Sequence, residues 1–339
     1  MTRIDTFGTL PDGQAVQVIT LRAGELIARV LTLGATLQDL RIAGTPWPLI
    51  LGSDRLEAYL GPLLWCGAVV GPVANRIGGA AALIGGQLCR FPPNDGANLL
   101  HSGTAGISGR LWQIEEARSD AVTLACALPA GCDGFPGNRV IRARYAIEAP
   151  ATLALTLSAE TDASTLMNPA HHPYWCLDGR AQTAAHRLQV AARRYLPTDA
   201  QCLPRAPADL TGDARDLRAP RRLGDLPLLD HNYCLEGAGL RPVARLWSDR
   251  GPCLTIETDA PGLQVYDGRG LDTAPLPGLM GTPYGAHAGV ALEPQAWPDA
   301  PAHDDFPPIT LSPGQPFRQQ LRYSFAAPPA AGDSAAPLC

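Results

Sequence analysis

Short runs of strand-forming residues recur along this chain with no regular helix between them, and this pattern constrains the fold more than any other feature. The runs are bounded by Gly, Pro, Asn or Asp and fall at residues 15–21, 26–33, 121–128, 139–147 and 152–157. Strands alternating with helices would predict a parallel βαβ fold, whereas successive strands joined by turns are typical of antiparallel sheets. The pattern therefore predicts an all-β chain folded as an antiparallel β-sandwich.

Glycine and proline support the same interpretation. The 339 residues include 35 Gly and 33 Pro, about a fifth of the chain, where average usage gives about 12%. Both residues are unfavourable inside helices, so a helical bundle is excluded. Only residues 53–60 (SDRLEAYL) predict a helix, with Ser53 as its candidate N-cap.

Charge and cysteine usage limit the classes of partner. The formal net charge is −5, and the chain has no lysine, so arginine supplies nearly every positive charge. Without a basic stripe, neither nucleic acid nor an anionic membrane is expected as a partner. The nine cysteines form no C-x-x-C pair, and residues 1–13 have no apolar signal segment. We expect a soluble cytoplasmic protein with free thiols.

No linker divides the chain into two parts. The Arg/Pro/Asp-rich stretch at residues 204–222 is interpreted as a long surface loop. We therefore predict a single domain over residues 1–325. Residues 326–339 (AAPPAAGDSAAPLC) form a low-complexity tail that is expected to be disordered.

Several polar residues occur in apolar or turn-rich surroundings, while the common nucleotide-binding, zinc-protease and serine-hydrolase motifs are absent from the sequence. Asn75 and Arg76 interrupt a glycine-rich apolar stretch, where the arginine either binds a ligand or caps backbone carbonyls. His101 follows a leucine pair and, taken alone, is more typical of a structural or surface histidine. The segment containing Asp230, taken alone, is more typical of an ordinary turn.

The histidine pair 171–172 and Glu293 are stronger candidates for a catalytic role. His171 and His172 are adjacent, so on a strand only one can face a given pocket, which argues against both binding one metal ion. Glu293 ends an apolar run (GVALE), where burial would raise its pKa toward the range of a general base. A core-edge glutamate paired with arginine would look the same. A neutral pocket of such residues suits a sugar, but composition does not separate a sugar enzyme from a sugar binder.

Taken in order, several segments resemble the aldose 1-epimerase (galactose mutarotase) family. They are GAVVGPVANRI (67–77), NLLHSG (98–103), NPAHHPYWCLDG (168–179), DHNYCL (230–235), GLQVYDG (262–268) and LEPQAWPDAPAHDDFPPITLSPG (292–314). The resemblance covers about residues 15–325, and its last segment is the most specific. It implies a large twisted antiparallel β-sandwich, a galactose mutarotase-like supersandwich, with an open cleft.

The resemblance also implies a reaction and its residues. The activity would be interconversion of the α and β anomers of a free hexose or pentose, with no cofactor and no metal, in a monomer or homodimer. The catalytic positions fall on His172 and Glu293. The sugar-binding positions fall on Asn75, Arg76, His101, Asp230 and Gln264, with Tyr174 close by.

The implied mechanism assigns one proton transfer to each catalytic group. Glu293 would take the proton of the C1 hydroxyl, while a protonated His172 gives one to the ring oxygen. His172 must then carry a proton at rest, and Asp230 is the candidate carboxylate for holding its pKa up. Pro72, His171, Pro173 and Cys176 depart from residues common in the family. They are expected to touch the pocket wall and to affect which sugar is preferred.

Three alternatives stay open from the sequence. A hexose-6-phosphate 1-epimerase would need an arginine cluster for the phosphate, and Arg76 alone is weak support. A non-catalytic carbohydrate-binding relative would not need the acid–base pair of His172 and Glu293. A glycoside hydrolase would need two carboxylates, for which Glu293 and Asp230 are the candidates.

Overall fold

A computed structural model describes residues 2–103, 106–328 and 338. Their strands are β1 (Arg3–Thr9), β2 (Ala15–Ala23), β3 (Leu26–Leu31), β4 (Leu37–Ile42), β5 (Val69–Val70), β6 (Arg76–Ile77), β7 (Ala81–Ile84), β8 (Gln87–Arg90), β9 (Leu99–Leu100), β10 (Gln113–Ala117), β11 (Ala121–Leu128), β12 (Arg139–Glu148), β13 (Thr152–Thr161), β14 (Thr165–Leu166), β15 (Ala170–His171), β16 (Tyr174–Trp175), β17 (Arg187–Val190), β18 (Ala192–Leu196), β19 (Ala208–Asp209), β20 (Arg221–Arg222), β21 (Asp230–Leu235), β22 (Arg241–Trp247), β23 (Cys253–Thr258), β24 (Gly262–Tyr266), β25 (Val290–Gln295), β26 (Thr310–Leu311) and β27 (Phe317–Ala326).

Helices are few and short in the described part of the chain. The α-helix α1 spans Leu56–Tyr59, and the 3₁₀ helices are Gly78–Ala80, Ile107–Gly109, Cys132–Gly134, Leu223–Asp225 and Ala300–Ala302. None of these helices has the length and apolar character that crossing a membrane requires.

Three sheets account for most of the strands. Their strand orders are β1-β2-β3-β4, β10-β11-β12-β13-β27-β23-β22-β17-β20 and β16-β25-β24-β21-β18-β19. The strand pairs within these sheets are antiparallel. The remaining short strands pair two by two, as β14-β26, β15-β5, β6-β9 and β7-β8. The prediction of an all-β antiparallel fold is confirmed.

The three sheets share one apolar core, as a sandwich requires. Strand β12 alternates between buried and partly exposed residues along its length, because successive side chains point to opposite faces. The buried core cluster includes Ile19 of the four-stranded sheet, Tyr145 and Leu155 of the nine-stranded sheet, and Leu263 and Leu292 of the six-stranded sheet. The inner faces of the sheets therefore pack against one another. The other face of the six-stranded sheet points away from this core and is free to carry polar side chains.

The five predicted strands are present as β2, β3, β11, β12 and β13, with ends that differ by a few residues. The predicted helix is much shorter than residues 53–60, because only one turn forms at Leu56–Tyr59 and its N-cap is Arg55. Ser53 is not the N-cap. Its hydroxyl donates to the carbonyl of Pro277 at 2.7 Å and accepts the backbone N–H of Arg55 at 3.1 Å, so it fixes the turn before the helix.

The stretch 204–222 is more ordered than a plain surface loop. It contributes β19 and β20, which are edge strands of two different sheets. Leu210 and Leu217 are fully buried in the core and anchor the connection between these edges. At the other predicted boundary, β27 runs to Ala326, one residue into the predicted tail, and residues 329–337 and 339 lie outside the described residues.

Candidate active site

One open cleft of about 420 Å³ brings together all the site residues that the sequence suggested. Its lining residues include Asn75, Arg76, His101, His172, Tyr174, Asp230, Gln264 and Glu293. These residues come from segments separated by more than two hundred positions, so the fold assembles the cleft from both halves of the chain.

The floor of the cleft is one face of the six-stranded sheet. Gln264 on β24 lies directly opposite Glu293 on β25, and Asp230 on β21 lies opposite Tyr266 on β24. Tyr174 on β16 faces Ala291, two residues before Glu293. Paired residues and residues two apart on a strand share a face of the sheet. The strand register therefore places the tyrosine, the amide and the two carboxylates side by side.

The adjacent histidines point in opposite directions, as the strand geometry predicts. Nδ1 of His171 lies 3.0 Å from the hydroxyl of Tyr323 in the core, and burial lowers the pKa of His171 to about 3. His172 lines the cleft, and its backbone is fixed by hydrogen bonds of 3.0 Å to the carbonyl of Ala68 and 2.8 Å from the N–H of Gly67. The two imidazoles therefore belong to different environments, one to the core and one to the cleft.

His172 and Glu293 form a buried acid–base pair. Nε2 of His172 lies 3.4 Å from Oε1 of Glu293, and the two residues are only 4% and 2% exposed. Burial lowers the pKa of His172 to about 4, and burial followed by the charge of Asp230 raises the pKa of Glu293 well above its ordinary value. Burial thus favours the neutral forms of both groups, which are His172 without its second proton and Glu293 with its proton.

This charge state corrects one expectation from the sequence. His172 was expected to be protonated at rest with the help of Asp230, but burial outweighs any such help and keeps the imidazole neutral. The charge of Asp230 acts on Glu293 instead, where it raises the pKa of that carboxyl.

Asp230 is held from two sides. Its Oδ1 accepts a hydrogen bond of 2.7 Å from Nε2 of Gln264, and its Oδ2 lies 3.6 Å from Nη2 of Arg269. Burial raises the pKa of Asp230, while the positive charges of Arg76 and Arg269 oppose that shift. The carboxylate is thus a preorganised acceptor on the floor of the cleft, where it can accept hydrogen bonds from sugar hydroxyls.

Asn75, Arg76 and His101 form a wall of the cleft and are linked by mutual hydrogen bonds. The N–H of Asn75 donates to Nδ1 of His101 at 3.1 Å, and the N–H of His101 donates to the carbonyl of Asn75 at 2.9 Å. Nε of Arg76 donates to Asp95 at 2.7 Å. Burial, followed by the charges of His172 and Arg76, lowers the pKa of His101 well below its usual range. Since Nδ1 accepts, the neutral ring carries its proton on Nε2, which is a donor for a ligand oxygen.

Sequence reasoning missed eight residues that line the cleft, among them Trp65, Cys202, Tyr266 and Arg269. The Trp65 ring lies against His101, with ring centroids 4.9 Å apart. It lies in the apolar run 63–73, where local sequence does not distinguish a residue of the cleft from a residue of the core. Arg269 directly follows the GLQVYDG segment, so its proximity to a recognised motif was the available signal.

The four positions that depart from the family pattern do not lie in the cleft wall. Pro72, His171, Pro173 and Cys176 are all absent from the residues that line it. His171 faces Tyr145 and Tyr323 in the core, and Cys176 is buried beside Asp178. None of the four therefore lines the cleft directly, and their effect on sugar preference stays a prediction.

A separate buried cluster, Cys176, Asp178 and His186, has three side chains of the types that bind metals. Nε2 of His186 accepts the N–H of Leu177 at 2.9 Å, so the neutral ring carries its proton on Nδ1. Neither nitrogen then offers a lone pair, and the guanidinium of Arg180 lies 3.2 Å from Oδ2 of Asp178. This arrangement does not favour a cation. The eight cysteines of the described residues are free thiols, as expected.

Comparisons with known proteins agree with the geometry of the cleft. A family model described as aldose 1-epimerase matches residues 17–324. The chain is 32% identical to galactose mutarotase of Bos taurus over 335 residues, which covers 94% of this chain and 97% of the relative. It is 31% identical to aldose 1-epimerase of Escherichia coli strain K12 over 345 residues, which covers 95% and 99% of the two chains.

Solved structures give the same result. Galactose 1-epimerase from Lactobacillus acidophilus superposes with a TM-score of 0.83 at 29% identity, over 96% of this chain and 98% of that one. An aldose epimerase homologue from C. elegans superposes with a TM-score of 0.87 at 28% identity, over 92% and 99%. Sequence, fold and the buried His172–Glu293 pair in a polar cleft agree, and the chain belongs to the aldose 1-epimerase family.

Proposed function

We propose that this protein interconverts the α and β anomers of a free aldose by proton transfer between the sugar and the pair His172–Glu293. The observation that supports this most strongly is the 3.4 Å contact between an imidazole and a carboxyl group, both almost fully buried at the floor of a cleft. Binding alone does not need an acid and a base so close together, whereas ring opening needs both at once.

Each half of the reaction moves two protons and breaks or forms one bond. The carboxylate of Glu293 removes the proton of the C1 hydroxyl, the imidazolium of His172 protonates the ring oxygen, and the bond between C1 and that oxygen breaks. Rotation about the C1–C2 bond turns the aldehyde over. On closure, the C5 oxygen forms a bond to the other face of C1, its hydroxyl proton passes to His172, and the carboxyl of Glu293 returns its proton to the C1 oxygen. Each positioned transfer contributes about 10²–10⁴-fold.

The resting state requires one step before ring opening. Because burial favours a proton on Glu293 over one on His172, that proton must cross to Nε2 of His172, the nitrogen that faces the carboxyl. A bound sugar favours this transfer because its C1 hydroxyl donates to the carboxylate and its ring oxygen accepts from the imidazolium. Substrate binding thus creates the charged pair that the reaction uses.

Sugar hydroxyls would be held by the groups that line the cleft. Asp230 and Gln264 offer acceptors and donors from the floor, and Asn75, Arg76 and His101 offer them from the wall. Such groups fix the sugar so that its C1 oxygen and ring oxygen meet the two catalytic side chains. Since two of the relatives described above are named for galactose, D-galactose is the first substrate we propose.

Neither the phosphorylated-sugar nor the hydrolase alternative is favoured by the cleft. Its two arginines already face carboxylates: Arg76 pairs with Asp95, and Arg269 lies beside Asp230 and Asp267. A sugar phosphate would bring its negative charge close to these acids. Glu293 is paired with an imidazole rather than with a second carboxylate, unlike the usual arrangement in a glycoside hydrolase.

Polarimetry on freshly dissolved α-D-galactose, α-D-glucose and L-arabinose tests the proposal. The protein should speed the approach to an unchanged final rotation, with and without EDTA, and galactose 6-phosphate should respond less than galactose. Heat-inactivated protein is the control for catalysis by buffer. No acceleration with any free aldose would contradict the proposed function.

The remaining expectations about partners stay predictions. They are a monomer or homodimer, a cytoplasmic location, and no nucleic-acid or membrane partner. Size-exclusion chromatography with light scattering would measure the mass of the particle directly and check the first of these.

A further inference from the structure

Arg269 lies in the cleft, and the reaction as proposed above assigns it no part. Its backbone N–H donates to Oδ1 of Asp267 at 3.0 Å, which fixes the loop after β24. Its guanidinium lies over the ring of Tyr266, 5.6 Å from the ring centroid. Nη2 then lies 3.6 Å from Oδ2 of Asp230, and Nη1 lies 3.7 Å from Oδ2 of Asp267. Loop, ring and two carboxylates therefore hold this cation against the cleft wall.

Asp230 makes its ion pair with this arginine, although the charge of Arg76 lowers the pKa of Asp230 more than the charge of Arg269 does. Its Oδ1 is engaged by Gln264, which is neutral, and its Oδ2 faces Arg269. Arg76 is the other nearby arginine, but its Nε is committed to Asp95 at 2.7 Å. Among the described residues, the ion pair that Asp230 makes is the one with Arg269. Without this neighbour, the mostly buried carboxylate would lose electrostatic stabilisation of its ionised form.

The distance between the two groups also has a consequence. At 3.6 Å, Nη2 is too far from Oδ2 of Asp230 for a hydrogen bond of ordinary length. Arg269 therefore fixes the charge and direction of Oδ2 without using up its capacity to accept. The oxygen stays available to a hydroxyl group of a ligand in the cleft.

We infer that Arg269 is a positioning residue for the sugar: it keeps Asp230 ionised and aimed so that Oδ2 accepts a sugar hydroxyl. The inference rests on the proposed function, since it takes Asp230 as a group that binds the sugar. Arg269 acts through Asp230 and does not contact the pair His172–Glu293, so it should govern binding more than the chemical step.

The charged and titratable groups around Asp230 decide how a substitution acts. They are Arg76, Arg269, Asp267, Glu293, Tyr174 and Tyr266. The two arginines lower the pKa of Asp230, whereas burial and Asp267 raise it. Removing one of two cations lets Asp230 take up a proton at a higher pH, and the protonated carboxyl is a weaker acceptor. The loss of affinity should therefore grow as the pH falls.

The test compares Arg269→Met, Arg269→Gln and Arg269→Lys with the wild type, by polarimetry on α-D-galactose at several pH values. The neutral variants should raise KM about 10-fold or more, the effect expected when a charge-assisted hydrogen bond is weakened, with kcat changed less than about threefold. The acid limb of kcat/KM should move to higher pH. Arg269→Lys restores the charge and should recover much of the lost KM.

Arg250→Met is the matched control. Its guanidinium also lies over an aromatic ring, 4.4 Å from the ring centroid of Trp47, but it does not line the cleft. It removes the same charge from the protein and should leave KM, kcat and the pH profile as in the wild type. If Arg269→Met does not fold, Arg269→Gln and Arg269→Lys carry the comparison.

Two results would overturn the inference while the proposed function stands. In the first, the wild type is active and the neutral variants have the same KM and the same acid limb of kcat/KM. In the second, the neutral variants lose kcat while their KM is unchanged. A wild type without mutarotase activity would instead contradict the proposed function. In that case calorimetric titration with D-galactose decides about Arg269, because binding tenfold weaker in Arg269→Met supports the inference and equal binding overturns it.

Discussion

Nε2 of His172 and Oε1 of Glu293 lie 3.4 Å apart, and burial shifts the pKa of each group toward its neutral form. The pair therefore behaves as a single site that holds one proton over a wide range of pH. Neither group can be treated as titrating alone, and the macroscopic pKa values belong to the pair. Activity requires the state with one proton, since two protons leave no base and none leaves no acid.

The pH dependence of kcat/KM should accordingly be a broad bell. The pKa of His172 is lowered to about 4, so the acid limb should fall near pH 4, where the pair gains its second proton. The alkaline limb should lie well above the usual pKa of a glutamate, because burial and Asp230 hold the last proton on the pair. Polarimetry with the spontaneous rate subtracted at each pH measures both limbs, and an acid limb between pH 6 and 7 would contradict the lowered pKa.

The resting protonation state can be measured separately. In the free protein at pH 7, the ¹⁵N chemical shifts of the His172 imidazole should be those of a neutral ring. Saturating D-galactose should shift them toward those of an imidazolium, because the proton moves from Glu293 when the sugar binds. The core residue His171 is an internal reference, since its pKa is lowered to about 3 and its ring should not respond.

Glu293→Gln should abolish most turnover while sugar binding survives. The amide keeps the size of the carboxyl but cannot accept or return a proton, so kcat should fall by about 10²–10⁴-fold. Calorimetric titration with D-galactose should give a Kd close to that of wild type. Glu257→Gln is the control, because Glu257 pairs with Arg322 away from the cleft. A Glu293→Gln enzyme with a near wild-type kcat would refute the assignment of this residue as the base.

The same substitution should stabilise the protein as the pH rises. Glu293 has a raised pKa in the folded state, so its contribution to stability is full below pH 4.5 and is lost as the pH rises toward the folded value. Gln carries no such loss. The free energy of unfolding of Glu293→Gln relative to wild type should therefore grow with pH, by at most about 1.4 kcal/mol per pH unit. Urea denaturation at pH 4.5, 6 and 7.5 measures this, and a pH-independent difference would contradict the raised pKa.

Substitutions at the two adjacent histidines should separate catalysis from stability. His172→Asn should lose nearly all turnover at little cost in stability, because this ring serves the cleft. His171→Leu should leave the buried hydroxyl of Tyr323 without its partner at 3.0 Å, at a cost of about 1–3 kcal/mol in the free energy of unfolding. Turnover per folded molecule should stay near that of wild type. Paired measurements of kcat and urea stability check both, and equal effects of the two substitutions would contradict the opposite orientation.

The sequence predicted the strands well because their signal is local. Strand β12 alternates between buried and partly exposed residues with a period of two, and its boundaries follow turn residues on either side. The helix prediction depended on propensity over eight residues, and the structure keeps only one turn of it, since Ser53 is held in a turn by the distant carbonyl of Pro277. A contact across 224 positions leaves no trace in local composition.

The cleft was predictable where residue type and segment order carried the information. Glu293 and Gln264 were found in recognisable segments, and the strand register then placed them side by side. Trp65 and Arg269 were missed because their place in the cleft depends on how loops fold over the sheet. The charge state of His172 was predicted wrongly for a related reason, since its burial is produced by packing of residues far away in the chain.

The position of β27 in the nine-stranded sheet has a consequence for synthesis. This strand, Phe317–Ala326, pairs with β13 on one side and with β23 on the other. It therefore joins two halves of the sheet that do not pair with each other directly. A nascent chain that has reached residue 300 already contains every residue of the cleft, yet its two half-sheets still expose unpaired edges toward each other. Such edges invite pairing with other chains. Ribosomes that pause between residues 300 and 317 should therefore present an aggregation-prone polypeptide, and chaperone demand should be greatest there.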